Sequence, residues 1–282
     1  MGKRSKYLFF VLVWGFLLPL GALAKSAINW KSVTILVFTK NGKGYVHDNI
    51  PSAVAALQLM AQQQGFRVEV SDDPAVFTPE NLKKFTLLLF PSTNNEVFDT
   101  PEQRLAFRRY IQAGGGFVGL HSVIGTERNW TWFKQMLGGS FLWHPKLQKL
   151  KIRVIDSTHP SVQGLPKVWE KPDECYFMKE LYPGVRAVMA HDLSVLDRTD
   201  STESEKIKNA AGAYTALYPA AWYQTYDGGY IWITALGHAK TDYQDPVFLR
   251  HIWQGIQYVA GQVKKLTPAN ASATAYDEPV RY

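Results

Sequence analysis

Gly114-Gly115-Gly116-Phe117-Val118-Gly119-Leu120-His121-Ser122 is the stretch on which the fold turns. A short apolar run after three glycines reads as a buried strand of a parallel sheet. It ends on a histidine, where open α/β sheets place their ligands. Gly119, two residues earlier, is expected to let the backbone turn sharply there. Hydrolases put a serine or cysteine nucleophile on such a strand-to-helix elbow. A histidine stands there in this sequence, so the chemistry must differ.

Outward from that strand, β and helical patterns alternate. Residues 33–38 are apolar and β-branched, and read as a first strand. The loop 39–48 leads to a helix over 49–64, with Pro51 in its first turn and Gly65 as its stop. Residues 66–70 and 85–90 read as strands, and Thr100-Pro101 opens a helix running to 112. Such alternation predicts a parallel sheet with right-handed crossovers. The second half is less regular. Residues 147–155 and 185–190 read as strands, and 159–172 and 198–211 as loops. Asp227-Gly228-Gly229 between residues 220–226 and 230–235 is a hairpin signal. It predicts antiparallel edge strands. Asp245-Pro246 opens a helix to about 260, and 264–282 read as a loose, flexible tail after a domain spanning 25–263.

The N-terminus carries an export pattern. Lys3, Arg4 and Lys6 precede an apolar stretch over 7–21, and Ala22-Leu23-Ala24 is a small-x-small cleavage site. The apolar run is about 15 residues, short of the roughly 20 that span a bilayer. The expectation is a signal peptide over 1–24, cleaved after Ala24, and a periplasmic or secreted protein with no stable membrane anchor. The chain has 282 residues, a net charge of +7 and one cysteine, Cys175. One cysteine allows no internal disulfide, so an exported domain of this size must rest on its apolar core. Three of the positive charges lie in the signal, and the others are scattered. That excludes a nucleic-acid patch.

Histidines mark the candidate site. His47 follows the first strand, His121 ends the glycine-rich one, and His238 follows the hairpin. Strand ends of a doubly wound sheet converge on one crevice, where histidine serves as acid, base or metal ligand. His144 follows the aromatic run Phe141-Leu142-Trp143, while His159 and His191 read as loop residues and His251 as a helix residue. Within Asp173-Glu174-Cys175-Tyr176, a carboxylate near histidines could orient a base or complete a metal site. Trp130, Trp132, Trp143, Trp169 and Tyr176 make the middle of the chain aromatic, suited to sugar stacking or to core filling. Gly42 and Gly44 lack the Gly-Lys-Ser/Thr ending of a phosphate loop.

These segments together resemble the ThuA-like family, named for bacterial trehalose utilisation proteins. The carrying stretches are 46–51, 72–77, 114–121, His144-Pro145, 173–176, 226–229, Leu236-Gly237-His238 and Asp245-Pro246. The resemblance implies a class I glutamine amidotransferase-like fold, an α/β flavodoxin-like three-layer sandwich. Its sheet would be mostly parallel with an antiparallel edge hairpin. Amidotransferases carry cysteine at the elbow where this chain has His121. Their histidine would fall near His238, but the glutamate expected two residues later is Lys240. Cys175 lies in another segment, so glutamine hydrolysis is disfavoured. The resemblance implies carbohydrate metabolism, with steps on oxidised keto sugars.

The expected function is an exported enzyme on a sugar or keto-glycoside. His121, His238 and Glu174 are its candidate catalytic residues, and His47, Trp130, His144 and Tyr176 its candidate substrate contacts. The cofactor is left open. A divalent metal such as zinc is one for which His47, His121, Glu174 and His238 are candidate ligands. A non-catalytic carbohydrate-binding module and a metal-dependent hydrolase are the alternatives. The partner expected is a small carbohydrate.

Overall fold

The computed structural model describes residues 28–280; the expected signal segment lies outside the described residues. Eleven strands and six α-helices follow one another as β1 (Thr34–Phe38), α1 (Ile50–Gln64), β2 (Arg67–Ser71), α2 (Pro79–Leu82), β3 (Leu87–Pro91), α3 (Pro101–Gln112), β4 (Gly116–Leu120), α4 (Thr131–Leu137), β5 (Ser140–Trp143), β6 (Gln148–Val154), β7 (Val168–Asp173), β8 (Phe177–Lys179), β9 (Arg186–Asp192), α5 (Ser201–Ala211), β10 (Leu217–Tyr226), β11 (Gly229–Thr234) and α6 (Pro246–Gln262).

Nine strands form one sheet in the order β2-β1-β3-β4-β11-β10-β9-β6-β7. From β2 to β11 every neighbouring pair is parallel. The inner strands of that half are apolar because helices cover both faces, while β2 at the sheet edge is largely exposed. Every residue of β1, β3 and β4 is buried. Phe38, Phe77, Phe90, Phe98, Phe107, Phe117 and Phe133 interlock on one side of it, with ring centroids 4.7–6.5 Å apart. The α/β flavodoxin-like sandwich is thus the observed class.

The hairpin forms where Asp227-Gly228 predicts it. Both residues take positive φ (46° and 92°), as a two-residue hairpin turn of matching twist demands. It does not lie at the edge, however. β11 pairs with β4 on one side, and β10 pairs with β9 on the other. β10 is buried along most of its length, which an edge strand would not be. The antiparallel edge pair is β6–β7.

Two segments expected as loops are ordered. Residues 201–211 form α5, because Asp200 caps its amide end and Ile207 and Ala211 give it one buried face. Residues 168–173 form β7, whose burial alternates strictly, and Pro172 sits in it because β7 is an edge strand. The stretch expected as a flexible tail runs along α3 instead. Arg108 donates to the carbonyls of Tyr276 (3.0 Å) and Glu278 (2.6 Å), and the Trp130 indole donates to Tyr276 (2.9 Å). Those donors are buried beneath it and take backbone acceptors there, with Arg108 Nε also 3.4 Å from Asp227 Oδ2.

The turn after β4 also differs in its cause. Gly119 does not supply the left-handed residue; His121 does, with φ 52°. Gly119 is instead a close-packing position. A Cβ there would stand 2.6 Å from Val123 and 2.7 Å from Ile233.

Candidate functional site

The carboxyl ends of β1, β3, β4 and β11 open on one edge of the sheet. β2 lies on one side of β1 and β3 on the other, so the strand order reverses at β1. That reversal is where α/β sheets form a crevice. His47 lies in the loop after β1, His121 directly after β4, Glu174 directly after β7, and His238 in the loop after β11. The segments after these strands bring together four residues that are scattered along the sequence, with Asp173 tying the end of β7 to the loop after β11.

Their donor atoms lie within 4.8 Å of one another. His238 Nδ1 is 3.1 Å from Glu174 Oε2 and 3.3 Å from His121 Nε2. His121 Nε2 is 3.6 Å from Glu174 Oε2. Donors around a tetrahedral zinc at bonds of about 2.0–2.1 Å stand about 3.3–3.4 Å apart. The spacing of the His121, Glu174 and His238 atoms fits a single small cation, and His47 lies within 4.8 Å of all three.

The proton positions fit as well. His121 Nδ1 faces the carbonyl of Ala235 at 3.1 Å, and a carbonyl can only accept. The ring must carry its hydrogen on Nδ1, leaving the Nε2 lone pair turned toward the cluster. His47 Nδ1 meets Ser122 Oγ at 3.0 Å, and that hydroxyl donates to the carbonyl of Thr93. The Nε2 of His47 is thereby left free in the same way. Burial pulls the His121 imidazole down to about 3, and His47 down to about 4 with the nearby His238 adding to the effect. Both rings are neutral near pH 7, the form that ligates metals. His238 is the exception, raised by the Glu174 carboxylate beside it. Glu174 Oε2 is buried yet has no aligned hydrogen-bond partner among the described residues. A buried carboxylate oxygen so placed, facing three imidazoles, is what a cation would satisfy.

Behind the cluster stands a buried ionic relay. Asp173 accepts the amides of Glu174 (2.9 Å), Gly237 (2.9 Å) and His238 (3.3 Å). Lys171 Nζ bridges Asp173 (2.5 Å) and Asp242 (2.9 Å). Asn49 holds the same loop from the other side, donating to the carbonyls of Gly237 (2.7 Å) and His238 (3.0 Å). One carboxylate thus orients two of the four candidate ligands through their backbone.

His47, Glu174 and His238 line a cleft of about 400 Å³ together with Tyr45, Asn94, Arg128, Phe141, His144 and Tyr176, while His121 is fully buried against them. The small sheet β5–β8 brings Phe141, His144 and Tyr176 to its wall. The Tyr176 hydroxyl lies 3.1 Å from His121 Nε2 and 3.4 Å from His47 Nε2. His144 stacks on Tyr176, and its Nδ1 faces the carbonyl of Pro145 at 2.8 Å, which leaves Nε2 with the lone pair. Trp130 does not reach the cleft. It is 3% exposed and packed on Trp132, Phe133 and Tyr276, its indole committed to the C-terminal segment. The other histidines are structural. His159 caps a short turn, His191 is a buried residue of β9 rather than a loop residue, and His251 is buried in α6. Cys175 is fully buried and its thiol pushed up by that burial, so it is no nucleophile. Tyr45, Asn94, Arg128 and Phe141 escape sequence reasoning, since each lies in a loop or short strand without a motif.

The family model described as ThuA, trehalose utilisation, matches residues 34–259. No curated protein matches the chain. Among solved structures, a ThuA-like protein from Bacteroides uniformis superposes with a TM-score of 0.64 at 20% identity, covering 83% of this chain and 93% of that one. One from Parabacteroides merdae gives 0.62 at 20% identity, covering 83% and 91%. A cytoplasmic protein from Salmonella typhimurium gives 0.55 at 10% identity, covering 80% and 98%. At these identities the likeness is one of fold.

Proposed function

The chain belongs to the ThuA family, and from that membership we propose an exported enzyme acting on a carbohydrate, an oxidised keto sugar above all, at a divalent-metal centre held by His47, His121, Glu174 and His238. The observation that carries the reading is the convergence of those four donors within 4.8 Å, with the His47 and His121 rings neutral and a buried Glu174 oxygen facing them. The basic, apolar and small-residue segments of residues 1–24 support export.

A cation bound there would polarise a carbonyl or hydroxyl oxygen of the sugar. The chain's own residues supply the rest. With the other histidines engaged as ligands, the Nε2 of His144 is the group left to take or return a proton in the cleft. A keto group acidifies the C–H beside it, which brings that transfer within reach of an imidazole. The Tyr176 hydroxyl is a donor beside the cluster, and burial together with the Glu174 carboxylate pushes it up, keeping it protonated. Tyr45, 63% exposed at the mouth, and Phe141 offer the faces on which sugar C–H surfaces lie.

The test is elemental analysis of protein purified without chelator, joined to turnover of keto-disaccharides. One divalent ion per chain, lost together with turnover in His121→Ala, supports the reading. Metal-free protein with full turnover sinks the metal centre. It would favour a second reading, in which His238 and Glu174, 3.1 Å apart, act alone as an acid–base pair.

A further inference from the structure

A cationic side chain in the cleft has no counter-ion. Arg128 lines the same cleft as the histidine cluster. Among the described residues no carboxylate forms an ion pair with it. Its neighbour Glu127 is turned away. Glu127 takes a left-handed φ of 49°, and its buried carboxylate accepts the amides of Val97 and Phe98 and the Arg104 guanidinium (2.7 Å). Glu96 accepts from Asn129, and Glu174, the carboxylate that lines the same cleft, lies against His121, His144 and His238 instead. Holding Glu127 inward in a sparsely populated conformation costs about 1–3 kcal/mol, which the surrounding contacts must offset. The result is that Arg128 alone of this turn faces the cleft.

Its guanidinium is held in place before any ligand arrives. Nε donates to the carbonyl of Gly125 at 2.9 Å, and Nη2 donates to Asn94 Oδ1 at 2.8 Å. The plane stands 5.4 Å from the centre of the Phe141 ring. Asn94 is fixed in turn by Tyr45 at the cleft mouth. Gly125 makes this possible, since a Cβ there would stand 2.5 Å from Asn94 Oδ1 and 2.9 Å from Arg128 Nη2. The Nη1 amine has no partner among the described residues, so the Nη1–Nη2 edge of the fork is open. That edge matches the two oxygens of a planar carboxylate. A phosphate would call for more cations, and no lysine or second arginine lines the cleft.

We propose that Arg128, held by Asn94 and Gly125, is a carboxylate-binding subsite. The carbohydrate taken by this cleft is then a sugar acid, a uronate or aldonate. Its carboxylate pairs with the guanidinium edge beside Phe141, and its reacting carbons extend toward His121 and His238. A divalent ion held there with a single carboxylate ligand would leave a net positive charge, and the two cationic centres together would favour an anion. The carboxylate assignment stands on Arg128 itself. Only the sugar part rests on the proposed carbohydrate function.

The experiment is calorimetric titration of the purified chain with D-glucuronate, D-glucose and glucose 6-phosphate, with metal content measured on the same samples. Glucuronate and glucose differ by a carboxylate in place of a hydroxymethyl group. Glucuronate is expected to bind roughly 10- to 100-fold more tightly than glucose, the worth of a charge-assisted pair. Arg128→Met should bring the two to parity with metal content and melting temperature unchanged, and Arg128→Lys should restore part of the preference. Equal affinities in the parent protein, a preference surviving Arg128→Met, tighter binding of the phosphate, or no saturable binding of glucuronate would each overturn the subsite. A glucuronate preference in a protein that holds no metal and turns over no sugar keeps the subsite and removes the metal-enzyme reading instead.

Discussion

The carboxylate of Asp173 receives the backbone amide of His238 at 3.3 Å, joining the end of β7 to the loop after β11. The same side chain takes the amides of Glu174 and Gly237. Two candidate ligands from distant segments are therefore set by one buried acid.

Asp173→Asn should keep the fold but weaken the site. Metal affinity is expected to fall about 10- to 100-fold, as for other lost outer partners of metal ligands. The change also strips Lys171 of one of its two carboxylates, and breaking one side of a buried ion pair costs about 3–5 kcal/mol. Competition titration with a chelating dye and thermal melts on one preparation check both effects. Undiminished metal affinity would show that Asp173 does not position the ligands.

His121 stands in the left-handed region with φ 52°. Glycine takes that conformation freely, whereas an L-residue pays about 1–2 kcal/mol for it. His121→Gly should therefore be more stable than His121→Ala by about 1 kcal/mol, although both lose the site. Denaturant unfolding of the two variants measures the difference. A less stable glycine variant would mean that the elbow is not strained.

His251 is buried in α6 with Nε2 3.0 Å from Thr234 Oγ1, and burial pulls its imidazole down to about 3. Its folded form resists protonation, while the unfolded chain takes up a proton below about 6.5. The stability this residue lends is complete above that pH and is lost as pH falls toward about 3, by about 1.4 kcal/mol per unit. His191 acts in the same direction, pulled down to about 4 by its burial. Unfolding free energies between pH 7 and 4.5 should fall less steeply for His251→Leu than for the parent. Parallel slopes would exclude His251 as a source of acid sensitivity.

Gly119→Ala forces a methyl group to within 2.6 Å of Val123 and 2.7 Å of Ile233. Overpacking of this kind costs about 1–3 kcal/mol. Because Val123 belongs to the turn that follows His121, metal occupancy should fall as well. Melting temperature and metal content read the two effects together.

The parallel half of the fold was legible because period and punctuation agreed there. Apolar five-residue runs, Pro51, Thr100-Pro101 and the glycine stops all pointed to one alternation. The meeting of His47, His121 and His238 was legible for the same reason, since strand ends of such a sheet converge, whereas Glu174 follows β7, an edge strand that read as loop. α5 was hidden because its buried face is only Ile207 and Ala211 on an otherwise charged surface. The interior place of the hairpin depended on β9, whose pairing with β10 carries no local signal. Trp130 was misread because its indole partner is a backbone carbonyl 146 residues away. Arg128 was invisible for a different reason. Its significance is the absence of a counter-ion, and that is a property of the whole neighbourhood.

His47 follows the first strand of the sheet and His238 the last, so an ion between them would tie the opening of the polypeptide to its closing turns. No chelate exists until the sheet is complete, because the four donors are far apart in an unfolded chain. Capture of the ion would then come after folding and, in an exported protein, after translocation. It would act as a late clasp that adds binding free energy to the native state alone. Its loss should first be felt as faster unfolding and readier proteolysis at a given temperature. The centre would serve persistence of the fold as much as reactivity.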